Sequence, residues 1–538
     1  MNTKQLKAKV LDLAIHGKLL SPETIAELKK SPDYETADVL LEKIRKEKEE
    51  KIAKGELKRD KKDSYIFVGD DKRHYEKFAD GTVKDIEDEI PFDVPEGWAW
   101  CRIKDISSYI GDGDWIESKD QSENGIRLIQ TGNIGLGSFK NKDGKYHFIS
   151  EDTFNKLGCN EIFEGDILIS RLPEPVGRAC ILPKLNQRTI TAVDCTIIRL
   201  HENSLIKELF VYYSISNIYL GLIKENCTGT TRLRISRANL EKIFIPIAPI
   251  TEQKRIINEI ERIIFHIDVV ECEKENLQTT IRNAKAKILD LAIHGKLVPQ
   301  DANDEPASVL LEKLRAEKEE KIAKGELKRD KNDSYIDKGS DNCYYEKFIN
   351  GAELEAEIPY DIPENWTWCK IKNLTNNMQY GTSEKSRDTG KVPVLRMGNI
   401  TREGKIDYSD LVYTSNEKDI KELKLKYNDI LFNRTNSIEW VGKTAIFKEN
   451  FPCICAGYII SFTPNYINPD FLNYVMNSSY QRDWCNEVKT DGVNQSNINS
   501  QKLADFYVPF PPIREQLRIV KSIENLFSKL DNICLNLI

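Results

Sequence analysis

The sequence lacks the patterns that mark membrane and exported proteins. It contains no apolar run of about 18 residues or more, and its start has no charged segment followed by an apolar one. We therefore expect a soluble, cytoplasmic protein that has no membrane partner. The twelve cysteines are scattered and form no C-x-x-C pair, which argues against structural zinc and favours reduced thiols.

The motifs of nucleotide binding and of catalysis are also missing. We find no Walker-type glycine-rich loop and no G-x-G-x-x-G, since GDGD at residues 111–114 fails the spacing. An adenine methyltransferase would need N/D-P-P-aromatic, and PFPPI at residues 509–513 has neither the polar lead nor the aromatic. None of the six histidines lies in a ligand cluster. We predict no catalytic residue and no metal site.

The net charge of -7 argues against a simple electrostatic nucleic-acid binder. It does not exclude one, because charge can be segregated along a chain. Between residues 171 and 242 basic residues outnumber acidic ones.

What the sequence does contain is a second copy of itself. Residues 39–66 return at 309–336 with three differences, Ile44/Leu314, Lys46/Ala316 and Lys62/Asn332. A period near 270 residues is too long for a solenoid repeat, so the unit that was duplicated has the size of a domain.

The repeat is also cyclic. Residues 246–268 match 509–531, and the segment that follows the first of these (residues 289–297) has its other copy at residues 11–19. If the chain ends meet, the molecule closes into two near-equivalent halves with approximate two-fold symmetry.

The repeated segments favour long helices. From Ile256 the apolar residues alternate at spacings of four and three through Val270 to Leu291, a 3.5-residue period typical of a helix that packs lengthwise on another helix. Pro249 and Gly295 bound the run. We predict two antiparallel rods, one continuous and one split between the chain ends; two ordinary surface helices on separate domains are the alternative. The positions that we assign to the rods and to partner contact are Ile256, Ile260, Ile263, Ile267, Ile519, Ile523, Leu526 and Leu530, with Leu6, Val10 and Leu13 continuing the split rod.

A highly charged helix is predicted from Val39 to about Lys61, with its copy from Val309 to about Lys331. Its KEKEEK run is typical of a solvated helix face with i,i+4 pairing. A docking face for a partner subunit is the alternative.

The segments between the repeats, residues 98–245 and 366–508, favour mixed α/β domains. Short β-rich runs at 127–130, 166–170 and 196–200 are separated by Gly, Asn and Asp. LIQTGNI (128–134) aligns with LRMGNI (395–400), GDILISR (165–171) with NDILFNR (428–434), and GTTRLRIS (229–236) with GVNQSNIN (492–499). Two domains with one scaffold and different surfaces suit the recognition of two different targets.

With these features the chain resembles the specificity subunit of type I restriction–modification systems. Each domain opens with P-E-x-W-x-W and closes with P-x-x-P-I-x-E-Q, at Glu252 and Gln253 in one copy and Glu515 and Gln516 in the other. The resemblance implies a non-catalytic reader of double-stranded DNA, with each domain reading half of an asymmetric split target and the helices acting as a ruler. It further implies two methyltransferase subunits that bind S-adenosylmethionine and often two restriction subunits that use ATP.

The fold that we predict is therefore two α/β (α+β) target-recognition domains separated by long antiparallel helices in a cyclic pseudo-two-fold duplication. Its parts are helices at 1–60, linker and first recognition domain at 61–245, central helices at 246–331, linker and second recognition domain at 332–508, and a last helix at 509–538. A structural coiled-coil adaptor and a stand-alone DNA-modifying enzyme are the alternatives.

Candidate DNA-contacting residues are basic or amide side chains near the ends of the aligned runs. Arg, Asn and Gln suit base edges and Lys suits phosphate. The candidates are Arg171, Arg178, Arg232, Arg234 and Arg237 in the first domain, and Arg434, Asn436, Lys443, Gln495 and Asn497 in the second.

Overall fold

The computed structural model describes residues 2–56, 58–59, 63–202, 204–229, 232–325, 333–492 and 495–536. The chain divides into two units, Met1–Glu273 (unit 1) and Lys274–Ile538 (unit 2). Within the described residues no helix is both long and apolar enough to cross a membrane.

Unit 1 combines helices with short strands. Its helices are α1 (Thr3–Ile15), α2 (Pro22–Leu28), α3 (Ala37–Ala53), α4 (Glu151–Leu157), α5 (Lys207–Ser214), α6 (Asn217–Glu225), α7 (Arg237–Leu240) and α8 (Ile250–Ile293), which continues into unit 2. Its strands are β1 (Ser64–Val68), β2 (His74–Phe78), β3 (Val83–Asp85), β4 (Ala99–Arg102), β5 (Ser107–Asp112), β6 (Gln121–Ser122), β7 (Ile126–Ile129), β8 (His147–Ile149), β9 (Glu161–Ile162), β10 (Ile167–Ser170), β11 (Ala179–Ile181), β12 (Thr189–Thr191), β13 (Cys195–Leu200) and β14 (Phe244–Ile247). The predicted runs at 127–130, 166–170 and 196–200 are thus confirmed as β7, β10 and β13.

Unit 2 follows the same plan. Its further helices are α9 (Ala307–Ala323), α10 (Ile371–Leu374), α11 (Glu417–Glu422), α12 (Pro469–Val475), α13 (Ser479–Val488), α14 (Ser500–Ala504) and α15 (Ile513–Leu535). Its strands are β15 (Ser334–Lys338), β16 (Tyr344–Phe348), β17 (Glu353–Glu355), β18 (Thr367–Lys370), β19 (Thr375–Tyr380), β20 (Val392–Leu395), β21 (Val412–Thr414), β22 (Ile430–Asn433), β23 (Thr435–Asn436), β24 (Thr444–Ile446), β25 (Ile454–Cys455), β26 (Ile459–Pro464), β27 (Thr490–Asp491), β28 (Ser496–Asn497) and β29 (Tyr507–Phe510). Short 3₁₀ turns occupy Glu87–Glu89, Ile103–Ile106, Ser118–Asp120, Thr131–Asn133 and Met397–Asn399.

The sheets of the two units correspond. A four-stranded antiparallel sheet has the order β11-β10-β13-β5 in unit 1 and β24-β22-β26-β19 in unit 2. Its middle strands β10 and β22 are buried along their whole length, which places them in the cores. Each unit also has a β-meander, β1-β2-β3 or β15-β16-β17. The remaining sheets of three or more strands are β6-β8-β7-β12-β9 in unit 1, and β21-β20-β25 and β23-β28-β27 in unit 2.

The opening and closing motifs of each recognition domain lie side by side. Strand β4 pairs antiparallel with β14, and β18 pairs in the same way with β29. The glutamine of the closing motif then fastens the start of the helix. Gln253 donates to the Ser204 and Ala248 carbonyls and accepts from the Ile206 amide, while Gln516 accepts from the amide of Asn468. Each domain therefore begins and ends beside one helix start.

The central helix has the predicted limits. Helix α8 runs directly after Pro249 and ends two residues before Gly295, which has a positive φ of 67°. In unit 1, Val10 and Ala14 of α1 pack in one cluster with Ile256, Ile260 and Ile267 of α8. Ile263 packs against the same cluster and is half-buried. The Thr3 hydroxyl donates to Glu271 at 2.8 Å and the Lys7 ammonium pairs with Asp268, so α1 runs antiparallel to α8.

The same arrangement occurs in unit 2 between the last part of α8 and α15. Leu289 and Ile293 pack in one cluster with Ile519 and Ile523. Leu526 and Leu530 of α15 are half-buried. The antiparallel helices of the predicted fold class are confirmed.

The predicted contact line is interrupted in the middle of α8 and shifts at its end. Val270 is 62% exposed, although Ile281, further along the same line, is 6% exposed. Near the C-terminus the buried residues are Leu289, Ala292 and Ile293, while Leu291 is half-buried. Closure of the two halves into a ring concerns both units together and stays a prediction.

The charged helices are shorter than predicted. Helix α3 ends at Ala53 and α9 ends at Ala323, where the prediction placed their ends near Lys61 and Lys331. Gly55 follows α3 with a φ of 75°, and the Glu56 amide donates to the Lys51 carbonyl, which is typical of a helix that ends at a glycine. The prediction overlooked this end because the charged residues continue beyond it. Lys61 and Lys331 lie outside the described residues.

Candidate nucleic-acid interface

An arginine directly follows β10 in unit 1 and β22 in unit 2. The backbone of the two arginines makes corresponding hydrogen bonds. The Arg171 amide donates to the Asp194 carbonyl, and the Arg171 carbonyl accepts from the Ile235 amide. Arg434 makes the corresponding bonds to Tyr458 and from Ile498. These bonds define equivalent positions in the two units.

The edge strand β5 or β19, which is separated by one strand from β10 or β22, supplies the residue opposite this arginine. Asp112 ends β5 and Tyr380 ends β19, and each is followed by a glycine whose amide donates to the next strand of the sheet. A Cβ atom on Gly113 would lie 2.2 Å from the Ala192 carbonyl oxygen, so the backbone approach here requires glycine. The same holds for Gly381 in unit 2.

In unit 1 the arginine lies in a network of alternating charge. Arg171 is only 5% exposed, donates to the Val193 carbonyl and lies 3.4 Å from the Asp112 carboxylate. The other oxygen of Asp112 lies 3.6 Å from the guanidinium of Arg237. Burial lowers the pKa of the Arg171 guanidinium, and Asp112 opposes that shift.

Three of the candidates lie on the exposed side of this network. Arg234 forms a 2.8 Å ion pair with Asp194, and its side chain is 47% exposed. Arg237 begins α7 and also pairs with Glu241 at 3.2 Å. Arg232 is exposed.

In unit 2 the corresponding surroundings are mostly uncharged. The Arg434 guanidinium lies 4.7 Å from the centre of the Tyr380 ring and donates to the Asn497 side chain at 3.2 Å. The Tyr380 hydroxyl donates to the Ser500 hydroxyl at 2.8 Å. The structure thus brings Arg434 and Asn497 together, as it does Arg171, Arg234 and Arg237 in unit 1. Gln495 is exposed, and half-buried Asn436 accepts from the Ser437 amide.

Two candidates turn out to hold the scaffold together. Arg178 is 7% exposed and donates to the carbonyls of Thr131, Ile134, Leu172 and Pro175. Four of its N–H groups thus donate inside the domain, and the predicted DNA contact of Arg178 stays a prediction.

Lys443 has the same role in unit 2. Its ammonium donates to the carbonyls of Met397 and Ile400, the counterparts of Thr131 and Ile134 in the aligned Gly-Asn-Ile turns. The predicted DNA contact of Lys443 likewise stays a prediction.

Sequence reasoning missed Asp112, Tyr380 and Ser500. The GDGD segment at residues 111–114, which contains Asp112, was considered only as a phosphate-binding loop, and its spacing does not fit one. Extending the internal alignment to Gly113 and Gly381 would have placed Asp112 opposite Tyr380. Within the described residues no group of three or more His, Cys, Asp or Glu side chains is arranged to hold a metal ion.

The sequence matches a known family in both units. Residues 95–279 and 363–536 match the model of the "Type I restriction modification DNA specificity domain". The matches include the paired strands of both units and most of the two predicted recognition domains, and they extend into α8 and through α15.

Individual relatives agree along almost the whole chain. The EcoAI type I restriction enzyme specificity subunit of Escherichia coli is 25% identical, over 97% of this chain and 88% of that protein. The EcoEI specificity subunit of Escherichia coli is 24% identical, over 98% and 90%. One solved chain, from a study of complex assembly and conformational transition of the type I R-M system, has the same fold with a TM-score of 0.51, at 14% identity over 83% of this chain and 94% of that one. The chain therefore belongs to the family of type I restriction–modification DNA specificity proteins, as a non-catalytic specificity subunit with two recognition domains.

Proposed function

We propose that each recognition domain reads one half of an asymmetric, two-part DNA target. The domains in question are those predicted at residues 61–245 and 332–508. The proposal rests on the equivalent backbone hydrogen bonds of Arg171 and Arg434 in the two domains. The side chains around them differ, since those around Arg171 are charged and those around Arg434 are mostly neutral. Different side chains at equivalent positions read different base edges, so the two half-sites differ.

In this proposal α8 sets the number of unread base pairs between the half-sites. Its 44 residues correspond to about 66 Å at a rise of about 1.5 Å per residue. That length equals about 19 base pairs at roughly 3.4 Å each, which leaves room for two half-sites and a spacer.

The partners in the proposal are two methyltransferase subunits, which carry S-adenosylmethionine. Restriction subunits that use ATP, often two in such systems, are a further partner that the family resemblance implies. All act in the cytoplasm. A docking surface for the methyltransferase subunits is supported by exposed apolar residues in the middle of α8, namely Phe265, Val269 and Val270. Exposed apolar side chains grouped on one helix are typical of contact with a partner.

Mapping the methylated sites in cells that express this chain with its methyltransferase partner tests the proposal. We expect one asymmetric sequence in two parts, separated by a constant number of unread base pairs. A palindromic or continuous site would contradict the reading of two different half-sites by two domains.

A further inference from the structure

We propose that three side chains around the strand-end arginine determine which bases each domain reads. This set, called the arginine ring, consists of Asp112, Arg234 and Arg237 around Arg171 in unit 1. In unit 2 it consists of Tyr380, Asn497 and Ser500 around Arg434. The inference rests on the proposed function and assigns the reading of each half-site to specific residues.

The ring positions are equivalent because the backbone fixes them. Ile235 and Ile498 donate to the carbonyl of the central arginine in their units. The ring residue before each of them is Arg234 or Asn497. The residue two places after each is Arg237 or Ser500.

The third position lies on the edge strand of the same sheet, β5 or β19. The Gly113 amide donates to the Cys195 carbonyl, and the Gly381 amide donates to the Ile459 carbonyl. Asp112 and Tyr380, which directly precede these glycines, therefore occupy the same place in the two sheets. A substitution at a ring position changes the recognition surface and leaves these backbone hydrogen bonds intact.

The ring side chains are linked to the central arginine directly or through one further residue, and they are also open to solvent. Arg234 is linked through Asp194, whose carbonyl accepts from the Arg171 amide. Asp112 lies within 3.6 Å of both Arg171 and Arg237, and its side chain is 30% exposed. Tyr380 contacts both Arg434 and Ser500. The ring therefore forms one connected surface that an incoming base edge can reach.

The two rings differ in the bases that they suit. A guanidinium pairs with two acceptors of guanine, and a carboxylate accepts from the amino group of cytosine. Arg234, Arg237 and Asp112 thus suit a G·C pair in the first half-site. The unit 2 ring presents an amide, a phenol and a hydroxyl instead, and the amide of Asn497 suits adenine.

Each ring supplies the replacement residues for testing the other. In the Arg234→Asn and Arg237→Ser variants, unit 1 receives the residues that unit 2 has at these positions. The Asn497→Arg variant makes the reverse change. The full chain with its methyltransferase subunit would select from a library of random duplex DNA, and the bound sequences would be read.

We expect Arg234→Asn or Arg237→Ser to change the base preference within the first half-site only. Loss of one bidentate contact corresponds to a change of about 5- to 140-fold at the affected base pair. Asn497→Arg should change the second half-site alone.

Arg188→Gln is the matched control. Arg188 lies in the same domain, has a 43% exposed side chain and forms ion pairs with Glu151 and Glu161, but belongs to no ring. We expect its selected sequence to equal the wild type. Ring variants that select the wild-type sequence, or that change it no more than Arg188→Gln does, would overturn the ring proposal. A wild-type complex that selects no two-part sequence would instead overturn the proposed function.

Discussion

At the scale of single residues, sequence separates basic side chains poorly by role. Arg178 and Arg234 are both arginines in the basic stretch of the first domain. Arg178 points inward and donates to four backbone carbonyls, while Arg234 pairs with Asp194 at the surface. The distinction depends on where the Gly-Asn-Ile turn folds back over β10, a tertiary contact that no local pattern encodes. The sequence could predict which residue types are candidates for DNA contact, but it could not predict whether each side chain points inward or towards solvent.

A residue-scale prediction concerns Asp105, which lies beside the paired strands of unit 1. Burial raises the pKa of Asp105 to about 6, against a hydrogen bond from the Arg102 amide that lowers it. Because the folded-state pKa is above the unfolded one, Asp105 contributes stability that is fully present below about pH 4 and is lost as the pH rises through 6.

Replacement of Asp105 by Asn, the residue that unit 2 has at the corresponding position (Asn373), should remove this effect. We expect Asp105→Asn to stabilise unit 1 at pH 7.5 by about 1–2 kcal/mol, less than the full shift implies because Asp105 keeps some exposure. The gain should shrink towards zero at pH 4. Denaturant unfolding at both pH values checks it, and an equal gain at both would contradict the assignment to a carboxyl group.

At the scale of elements, the helices were more predictable than the contacts between them. Pro249 and Gly295 bound α8 in the sequence as they do in the structure. The ends of α3 and α9 were misjudged because charged residues continue past the glycine stop. The prediction of buried positions was right at Ile256 and Ile260 and wrong at Val270. A helix that packs on another helix along only part of its length buries apolar residues only in that part.

Two substitutions on α8 test this assignment of its faces. Ile260 is fully buried against α1, so Ile260→Asp places an unpaired charge in a core and should cost on the order of 3–5 kcal/mol. Phe265 is 64% exposed on the same helix, so Phe265→Asp should leave the unfolding temperature nearly unchanged.

Thermal unfolding of the two variants provides the comparison. Co-purification with the methyltransferase subunit adds a second result, since Phe265→Asp should weaken that complex if the exposed face docks a partner. Equal loss of stability in both variants would show that the two faces have been assigned wrongly.

At the scale of the whole molecule, most of the predicted domain organisation came from the internal duplication. Two copies of one unit, with similar ends and dissimilar interiors, predicted two recognition domains on one scaffold. Both domains have the same central sheet and the same arginine position, as the aligned GDILISR and NDILFNR runs require. Asp112 and Tyr380 differ in size and charge, so only the glycines that follow them, Gly113 and Gly381, mark the two positions as equivalent in the sequence. That both residues face the arginine follows from the pairing of the strands, which no local pattern encodes.

The central claim is that the two domains read their half-sites independently. The most direct measurement is to replace residues 366–508 with the corresponding domain of a relative and to map the methylated sites. The account predicts that one half-site changes, while the half-site read by residues 98–245 and the length of the spacer stay the same, since base contacts lie in the domains and spacing lies in the helices. A replacement that altered both half-sites together would contradict it and would indicate one composite DNA-binding surface.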